Sequence, residues 1–433
     1  MISHQSWVEF KHAFLAKRLS SLQLSMETEI RSPHIGSISC LSIEDIEDRY
    51  LLSGGGYDGR VSLFDFECTA NPTTVSDRIR GSRLMTPFAV SEQIGRCVSS
   101  LQWYPLDLGC FIASTMDGKV TLWDTTTYQV VSDYSMGNTV YSARCNPGGT
   151  LIAVGTDSPE VAIIDPMTGG TSQKLVGHKS GIACLEWCPD AEYMLASGAY
   201  DGSVKIWDTR RGGARALLTT FDWRQDCISS EDTTKWKTDW SKDDTVRAHE
   251  GAIMSMCFTS SGQHLITSGN DRIARVWSVS NKDLGSLENK NIPTACTSRL
   301  PYQIMVSEVA SELTDLLFVP CGSTGEIRVN LFRDLSNSEA LSVLKGHLDM
   351  VQGIAIRKPT QEVISAGKDG LILLWNPRKA DGKSDIVEEL YRDDWSDDEV
   401  KQDQRDELTN EDEAVAYLPP ILRQLLQNED MES

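Results

Sequence analysis

The chain is 433 residues long and has a formal net charge of −21 at pH 7, from 62 acidic and 41 basic side chains. Apolar residues make up 40% of it, but no apolar run approaches the roughly 20 residues that span a bilayer, and no signal-peptide pattern opens the chain. So acidic a chain lacks the clustered Lys and Arg that bind nucleic-acid phosphates, and we expect neither membrane insertion nor direct nucleic-acid binding. The 11 cysteines include no C-x-x-C pair and are interpreted as buried thiols in a reducing compartment.

An amphipathic helix is predicted at the N-terminus, in residues 1–25. The apolar residues that recur there at helical spacing are Trp7, Phe10, Phe14, Leu15, Leu19 and Leu22. Lys11, Lys17 and Arg18 fall on other faces. A helix with an aromatic stripe needs a groove, either on its own chain or on a partner.

Residues 26–380 carry seven copies of one pattern, in which alternating apolar residues run into a tight turn. Three copies have nearly the same text: in each, a His precedes an Asp by 22 or 23 residues, and a Trp follows six residues after the Asp. These sets are His178, Asp201 and Trp207; His249, Asp271 and Trp277; and His347, Asp369 and Trp375. A fixed period of this kind predicts a repeat fold, and the pattern resembles the WD-repeat signature of an all-β, seven-bladed β-propeller.

The other copies are less regular. In the first, His34 occupies the repeat His position and the turn falls at Asp58. The third is degenerate, with Ser158 at the Asp position and Ile164 at the Trp position. In the sixth, only LLFVPCG and EIRVNLF read as strands.

Three segments lie outside the regular repeats. Residues 222–247, rich in charge and Trp, form an insertion between the fourth and fifth copies. Residues near Met26–Arg31 are predicted to supply the outer strand of the last blade and close the ring; Ile386–Tyr391 is the rival strand. Residues 381–433 hold 18 acidic and five basic side chains, a net −13, and are predicted to be a disordered acidic tail.

The recurring polar residues could be mistaken for a catalytic site, since His178, Ser197 and Asp201 make a Ser-His-Asp set. The equivalent residues in the other two copies are His249, Thr267 and Asp271, and His347, Ser365 and Asp369. Catalysis does not require three copies. In WD-repeat proteins such groups form a buried hydrogen-bond network that ends on the Trp indole, here Trp207, Trp277 and Trp375. We therefore predict no catalytic residue, metal, cofactor or small-molecule ligand.

The fourth copy, from Leu195 to Arg210, resembles a box found in substrate receptors of cullin-4 ubiquitin ligases. It ends in Trp207-Asp208-Thr209-Arg210, whereas the last copy ends in a weaker echo, Trp-Asn-Pro-Arg378. In those receptors the Asp and Arg meet a large adaptor, and the rigid guanidinium fork suits such an interface. The resemblance implies adaptor contacts by Phe10, Phe14, Leu15, Arg18, Leu19, Asp208 and Arg210. Two alternatives stay open, a solvated turn arginine and a helix packed against its own propeller.

Several further segments resemble the Cockayne syndrome group A protein family. They are FLAKR (14–18), SIEDIEDRYLLSGG (42–55), LQWYPLDLGCF (101–111), NTVYS (138–142), LIAVGT (151–156), MCFTSSGQHLIT (256–267), FVPCGST (318–324) and DDWSDDE (393–399). They include the degenerate third and sixth copies, where a generic propeller would not match. The insertion 222–247 departs from the family, because it is longer than the family pattern predicts.

The resemblance implies a nuclear substrate-recognition subunit of a cullin-4 RING ubiquitin ligase in transcription-coupled nucleotide excision repair. Its implied partners are the damaged-DNA-binding adaptor, the Cockayne syndrome B type ATPase and stalled RNA polymerase II, with the substrate on the opposite face of the propeller. The chain itself would supply no nucleophile. The alternatives are a non-ligase scaffold in chromatin or trafficking complexes, and an enzyme or a direct DNA reader.

Overall fold

The computed structural model describes residues 21–25, 28–44, 46–67, 83–223, 246–279, 284–287, 292–293, 302–306, 316–321, 324–331, 340–358 and 360–377. Within these ranges the chain forms 30 strands and one 3-10 turn, Gly213–Ala216. The strands are β1 (Leu22–Leu24), β2 (Thr28–Ile30), β3 (Ile38–Ile43), β4 (Tyr50–Gly55), β5 (Val61–Asp65), β6 (Arg83–Met85), β7 (Ala89–Val90), β8 (Val98–Trp103), β9 (Cys110–Thr115), β10 (Lys119–Asp124), β11 (Gln129–Ser135), β12 (Val140–Cys145), β13 (Ile152–Thr156), β14 (Glu160–Ile164), β15 (Thr171–Val176), β16 (Ile182–Trp187), β17 (Met194–Ala199), β18 (Val204–Asp208), β19 (Leu217–Thr220), β20 (Ile253–Phe258), β21 (His264–Gly269), β22 (Ile273–Ser278), β23 (Ile292–Pro293), β24 (Met305–Val306), β25 (Leu316–Cys321), β26 (Glu326–Leu331), β27 (Ser342–Lys345), β28 (Val351–Arg357), β29 (Glu362–Gly367) and β30 (Ile372–Pro377).

These strands build seven blades, antiparallel except where β6 pairs parallel with β2 in the last one, and the predicted seven-bladed β-propeller is confirmed. Blades 2 to 6 take four consecutive strands each, from β8–β11 to β24–β27, and blade 1 is β3-β4-β5-β7. Blade 7 is β28-β29-β30, completed by β1 and β2, with β6 added outside β2. The first strands of successive blades lie side by side and surround a central channel of about 260 Å³. Side chains between the blades form the core, as expected for strands buried on both faces.

The N-terminal segment closes the ring, as predicted, but in two pieces. In the first piece, β1 pairs with β30, so that Leu22 lies opposite Pro377 and Leu24 opposite Trp375. In the second, Ile30 of β2 pairs with Ile372 at the other end of β30. The rival strand 386–391 lies outside the described residues.

The end of the predicted helical segment 1–25 belongs to the propeller instead, because residues 22–24 form β1. Leu22, which we placed on the apolar face of the helix, lies in β1, and its side chain is buried in a cluster with Leu344 and Trp375. Burial between two blades and pairing with an otherwise open strand edge outweigh local helical spacing at this position. The prediction for Leu22 was therefore wrong.

The weak repeats form complete blades. Blade 6 has the two predicted strands, β25 and β26, and two that the sequence did not show, β24 and β27. Gln303, just before β24, ties blades together: its side-chain Nε2 donates to the Leu41 carbonyl at 3.1 Å, and its Oε1 accepts from the Leu41 N–H at 3.3 Å. One side-chain amide from blade 6 thus bonds to the backbone of the first strand of blade 1.

Each blade has two ends, which define the faces of the propeller. In blade 4 the β17–β18 turn carries Asp201, and the other end of β18 carries Asp208, opposite Met194 of β17. We call the face with the Asp201-type turns the upper face and the face with Asp208 the lower face.

Candidate functional site

The predicted His, Thr, Asp and Trp of blade 5 form one chain of hydrogen bonds. The Nδ1 of His249 lies 3.0 Å from both carboxylate oxygens of Asp271, and its Nε2 lies 2.8 Å from the hydroxyl of Thr267. The Trp277 indole donates to the same hydroxyl at 2.9 Å. Because a carboxylate only accepts and an indole N–H only donates, the proton of a neutral imidazole must sit on Nδ1, and the hydroxyl donates to Nε2.

Blade 7 repeats this geometry. The Nδ1 of His347 approaches Asp369 to 3.0 Å, its Nε2 lies 2.7 Å from the Ser365 hydroxyl, and Trp375 donates to that hydroxyl at 2.8 Å. The Asp369 carboxylate also accepts the Leu348 backbone N–H at 2.9 Å. The network therefore fixes the loop that follows the His as well as the blade interior.

Blade 1 has a shorter version of the network. His34 contacts Asp58 at 3.2 Å and the Ser53 hydroxyl at 2.8 Å. The Trp position is Phe64, a fully buried side chain with no N–H to donate. The first blade thus shows that the fold accepts Phe in place of the Trp.

Blade 4 differs from blades 5 and 7 by one inserted hydroxyl. His178 binds Ser197 at 2.6 Å, and Trp207 donates to the same hydroxyl at 2.7 Å. Between His178 and Asp201, which are 3.9 Å apart, lies Ser203, at 2.7 Å from the imidazole and 2.6 Å from the carboxylate. Sequence reasoning missed Ser203, although its place two residues after the turn Asp was visible.

The hydroxyl groups at the centre of the networks are sealed from solvent. The hydroxyl-bearing residues Ser197, Thr267 and Ser365 have no exposed surface. Each hydroxyl is already bound by an indole and an imidazole, so a substrate carbonyl has no path to it. The arrangement satisfies buried polar groups within the blades rather than activating a nucleophile. Among the described residues no group of three or more His, Cys, Asp or Glu side chains could hold a metal ion.

Burial controls the charge of the network. It lowers the pKa of His34, His178, His249 and His347, because desolvation outweighs the nearby Asp in each case. Burial alone would raise the pKa of Asp201 and Asp271. Hydrogen bonds from Ser203 and from backbone N–H groups hold the pKa of Asp201 below the ordinary Asp value, and hydrogen bonds led by His249 do the same for Asp271. At neutral pH the networks of blades 4 and 5 therefore pair a neutral imidazole with a carboxylate, and His34 and His347 are likewise neutral.

We predict that the folded protein loses stability as the pH falls from 7.5 to 5.5. An unfolded His takes up a proton below about pH 6.5 while a buried native one does not, so the unfolded state binds more protons and gains relative stability. Each of the four histidines contributes at most about 1.4 kcal/mol per pH unit to the free energy of unfolding. The Asp contribution is lost only below about pH 4. Urea unfolding at both pH values checks this; an unchanged or higher midpoint at pH 5.5 would contradict it.

The predicted rim residues Asp208 and Arg210 meet at the lower end of blade 4. The guanidinium of Arg210 donates from Nε and Nη2 to the two oxygens of Asp208, each at 3.0 Å. Arg211 adds a contact from Nε to the same carboxylate at 3.1 Å. The Arg210 guanidinium also stacks 3.4 Å from the ring centroid of Tyr193. We call these four residues the blade-four rim cluster.

The blade-four rim cluster combines a buried anion with two exposed cations. The Asp208 side chain is 3% exposed, whereas those of Arg210 and Arg211 are 60% and 57% exposed. The hydrogen bonds from Arg210 lower the pKa of Asp208, so its carboxylate is charged at neutral pH. One carboxylate cannot neutralise two guanidinium groups, and the cluster presents a net positive, pre-oriented surface.

The equivalent position in blade 1 has the opposite balance of charge, with more carboxylates than guanidinium groups. Arg49 donates to both oxygens of Asp65, at 2.9 and 2.7 Å, and its Nη1 lies 3.0 Å from Glu67. Two carboxylates there surround one guanidinium that is 31% exposed. In blade 7, Asn376 of the predicted echo donates to Ser25 of the closing segment at 3.2 Å, so it supports ring closure.

The remaining adaptor residues cannot be placed. Phe10, Phe14, Leu15, Arg18 and Leu19 lie outside the described residues, as does most of the insertion 222–247. Their roles remain predictions. Sequence analysis did not predict that Arg211 and Tyr193 belong to the cluster. Tyr193 lies 17 residues before Arg210 and meets it only because β17 and β18 pair.

Comparison with known proteins agrees with this architecture. The WD40 family model (WD domain, G-beta repeat) matches residues 169–208, 240–278 and 338–376. The three matches end at or next to the ends of β18, β22 and β30, the third strands of blades 4, 5 and 7. The seven-bladed propeller therefore contains three WD40 repeats. The chain is also 28% identical to the WD repeat-containing protein ATCSA-1 of Arabidopsis thaliana, over 90% of this chain and 96% of that protein.

Shorter matches involve ribosome biogenesis proteins. The YTM1 protein of Vanderwaltozyma polyspora is 25% identical over 46% of this chain and 49% of its own length. That of Phaeosphaeria nodorum is 34% identical over 35% of this chain and 37% of its own length. The chain thus spans half or less of these relatives. In the described residues, no helix is both long and apolar enough to cross a membrane.

Proposed function

We propose that this chain is the substrate-recognition subunit of a cullin-4 RING ubiquitin ligase that acts in transcription-coupled nucleotide excision repair in the nucleus. The observation that carries the proposal is the blade-four rim cluster. It presents two exposed arginines from a carboxylate anchor at the position where the resembling receptors contact their adaptor. The likeness to ATCSA-1 along 90% of the chain supports the same family of receptors.

The cluster suits an interface for a physical reason. A bidentate pair with Asp208 and stacking on Tyr193 hold the Arg210 guanidinium in one orientation before any partner arrives. Little side-chain entropy remains to be lost on binding, and exposed N–H donors stay free to meet carbonyls or carboxylates of a partner. The N-terminal segment, with Phe10, Phe14, Leu15, Arg18 and Leu19, would add an apolar contact to the same adaptor.

The mechanism is positional. WD40 propellers are typically non-catalytic scaffolds or receptors, and the polar sets that resemble a triad here are sealed inside the blades. With the lower face on the damaged-DNA-binding adaptor, the upper face would present a Cockayne syndrome B type ATPase and stalled RNA polymerase II. Tethering raises the local concentration of substrate lysines near the charged ubiquitin-conjugating enzyme, which accelerates transfer without a residue of this chain touching the reacting atoms.

Adaptor recovery with the tagged full-length chain tests the proposal. We expect the double variant Arg210→Ala, Arg211→Ala to lower recovery about tenfold, as for the loss of a hot-spot arginine. Phe14→Asp should act in the same direction. Arg49→Ala is the matched control, because it removes a rim arginine of similar geometry from blade 1 and should leave recovery unchanged.

The same experiment separates the alternatives. Equal recovery with native circular dichroism for all variants would overturn the ligase proposal and leave a WD40 scaffold in chromatin or trafficking complexes. The partial likeness to ribosome biogenesis proteins fits such a scaffold, but it covers under half of this chain. Binding of duplex DNA by the isolated chain at physiological salt would instead favour a DNA reader.

A further inference from the structure

A ridge of exposed apolar side chains lies on the upper face of blades 7 and 1. Its members are Leu348, Leu371, Ile35 and Tyr57, which are 83%, 42%, 70% and 75% exposed. All four lie in or beside the loops that carry the His and Asp residues of the buried hydrogen-bond networks, which we call the relay His and relay Asp. We call this group the apolar ridge. Grouped exposed apolar side chains on a soluble domain mark a surface that is covered by something.

The buried networks fix the backbone of the ridge. The two oxygens of Asp369 accept the backbone N–H groups of Leu348 at 2.9 Å and Leu371 at 3.1 Å. In blade 1 an oxygen of Asp58 accepts the N–H of Ile35 at 3.1 Å. These exposed apolar side chains therefore project from loops that are held rigidly from below.

The two halves of the ridge are in contact. A Cβ atom added at Gly370 would lie 2.6 Å from the carbonyl oxygen of Gly36, so the blade-7 turn touches the blade-1 loop. Gly36 in turn packs against Tyr57, whose Cβ lies 3.5 Å from where a Cβ on Gly36 would be. Both glycines have positive φ, at +75° and +89°, which allows this approach. Leu371 and Ile35, the chain neighbours of the two glycines, therefore belong to one surface.

The repeat pattern does not require apolar side chains at the positions of the apolar ridge. The residue after the relay His makes the same contact to its turn Asp in blades 4 and 5, but there it is Lys179 or Glu250. Blades 7 and 1 have Leu348 and Ile35 instead. The position after the relay His is thus charged in blades 4 and 5 but apolar in blades 7 and 1, which lie next to each other in the ring.

The exposed charges beside the ridge are mainly positive. Arg31, Arg60 and Lys368 are exposed in the same loops, and Asp349 is the exposed acid among the described residues of these loops. The two relay carboxylates beneath the ridge are only 8% and 6% exposed. The surface thus suits a segment with a bulky apolar side chain flanked by carboxylates.

We propose that the acidic C-terminal segment of this chain, around Trp395, docks on the apolar ridge. It has the matching chemistry, DDWSDDE, within a stretch of net charge −13. The chain leaves blade 7 at Pro377, at the lower end of β30, whereas Leu371 lies beside Ile372 at the upper end, so the segment must run back along the length of that strand. The 18 residues from Pro377 to Trp395 span at most about 60 Å, against about 20 Å for the length of β30. A tether of that length keeps the segment at roughly millimolar concentration.

The docked segment would occupy the upper face, so a partner that binds there must first displace it. The inference does not depend on the ligase proposal, since it concerns only residues of this chain. It would hold equally for a scaffold with no ubiquitin-ligase role.

Photo-cross-linking of the full-length chain tests the proposal. In the variant Tyr57→p-benzoylphenylalanine, we expect irradiation to link position 57 to tryptic peptides from residues 381–433, above all the one that contains Trp395. Met167→p-benzoylphenylalanine is the control, because Met167 is 90% exposed in the lower-face turn of blade 3. An equal mixture of ¹⁴N and ¹⁵N chains distinguishes links within one chain from links between two.

Further variants test whether the cross-link depends on the apolar ridge and on the acidic side chains of the segment. Leu348→Asp, which puts a negative charge on the ridge, should lower the yield of the link about fivefold, whereas Val131→Asp on the edge of blade 2 should not. Changing the five acids of DDWSDDE to their amides should lower it similarly. No link to residues 381–433 above the Met167 control would overturn the proposal. Links only between isotopically different chains, or only to another protein, would overturn it in favour of a second copy or a separate partner.

Discussion

Replacing Trp207 with alanine is expected to lower the free energy of unfolding by about 4–6 kcal/mol, the sum of a large buried cavity and an indole bond lost from a buried hydroxyl. Trp207 has no exposed surface and packs between blades 3 and 4 against Leu175 and Leu195. Its N–H also supplies one of the partners of Ser197. Urea unfolding of the full-length chain measures the change.

A second substitution separates packing from hydrogen bonding. Trp207→Phe keeps an aromatic ring but removes the N–H, and we expect a cost of about 1–2 kcal/mol. Blade 1 supports this, since Phe64 fills the same position there. Trp123→Phe is a matched control from a blade without a relay His, where the indole donates to Thr121 at 2.9 Å. If Trp207→Ala lay within 1 kcal/mol of wild type, or Trp207→Phe were as damaging as Trp207→Ala, the structural role of the network would be contradicted.

Leu22→Asp is expected to destabilise the ring by about 3–5 kcal/mol, because it puts a carboxylate into an apolar cluster between blades 6 and 7. Leu24 lies two residues on in β1 and is 39% exposed. Leu24→Asp should therefore cost under about 1 kcal/mol. Thermal and urea unfolding of both variants, side by side, make the comparison.

This pair also decides between a helix and a strand at the N-terminal boundary. If Leu22 belonged to a docking helix, Leu22→Asp would lower adaptor recovery and leave the stability of the propeller unchanged. If Leu22 lies in β1, Leu22→Asp lowers the stability of the propeller. Equal unfolding midpoints for Leu22→Asp and wild type would show that ring closure does not run through this strand.

The repeat networks could be predicted because their information is local. Each His, Asp and Trp recurs at nearly fixed spacing within one blade, so the contacts in blades 5 and 7 follow from the period alone. Ser203 was missed because the inserted hydroxyl changes one contact without changing the period. Leu22 was placed wrongly because its partner, Trp375, lies at the other end of the chain.

The rim and the ridge show a second limit. Asp208 and Arg210 lie two residues apart in the sequence, so sequence analysis could predict that they meet. Tyr193 joins them only through strand pairing. The apolar ridge joins loops of the last and first blades, and neither its existence nor its contrast with Lys179 was visible before ring closure was known.

Hydrogen–deuterium exchange of the full-length chain with and without the purified adaptor is the most direct test of the central claim, that the lower rim of blade 4 is a docking surface. We predict slower exchange in residues 188–193 and 208–213 when the adaptor is present, with the upper-face loops 33–37 and 345–350 unchanged. Protection confined to the upper-face loops, or no protection anywhere, would contradict the account.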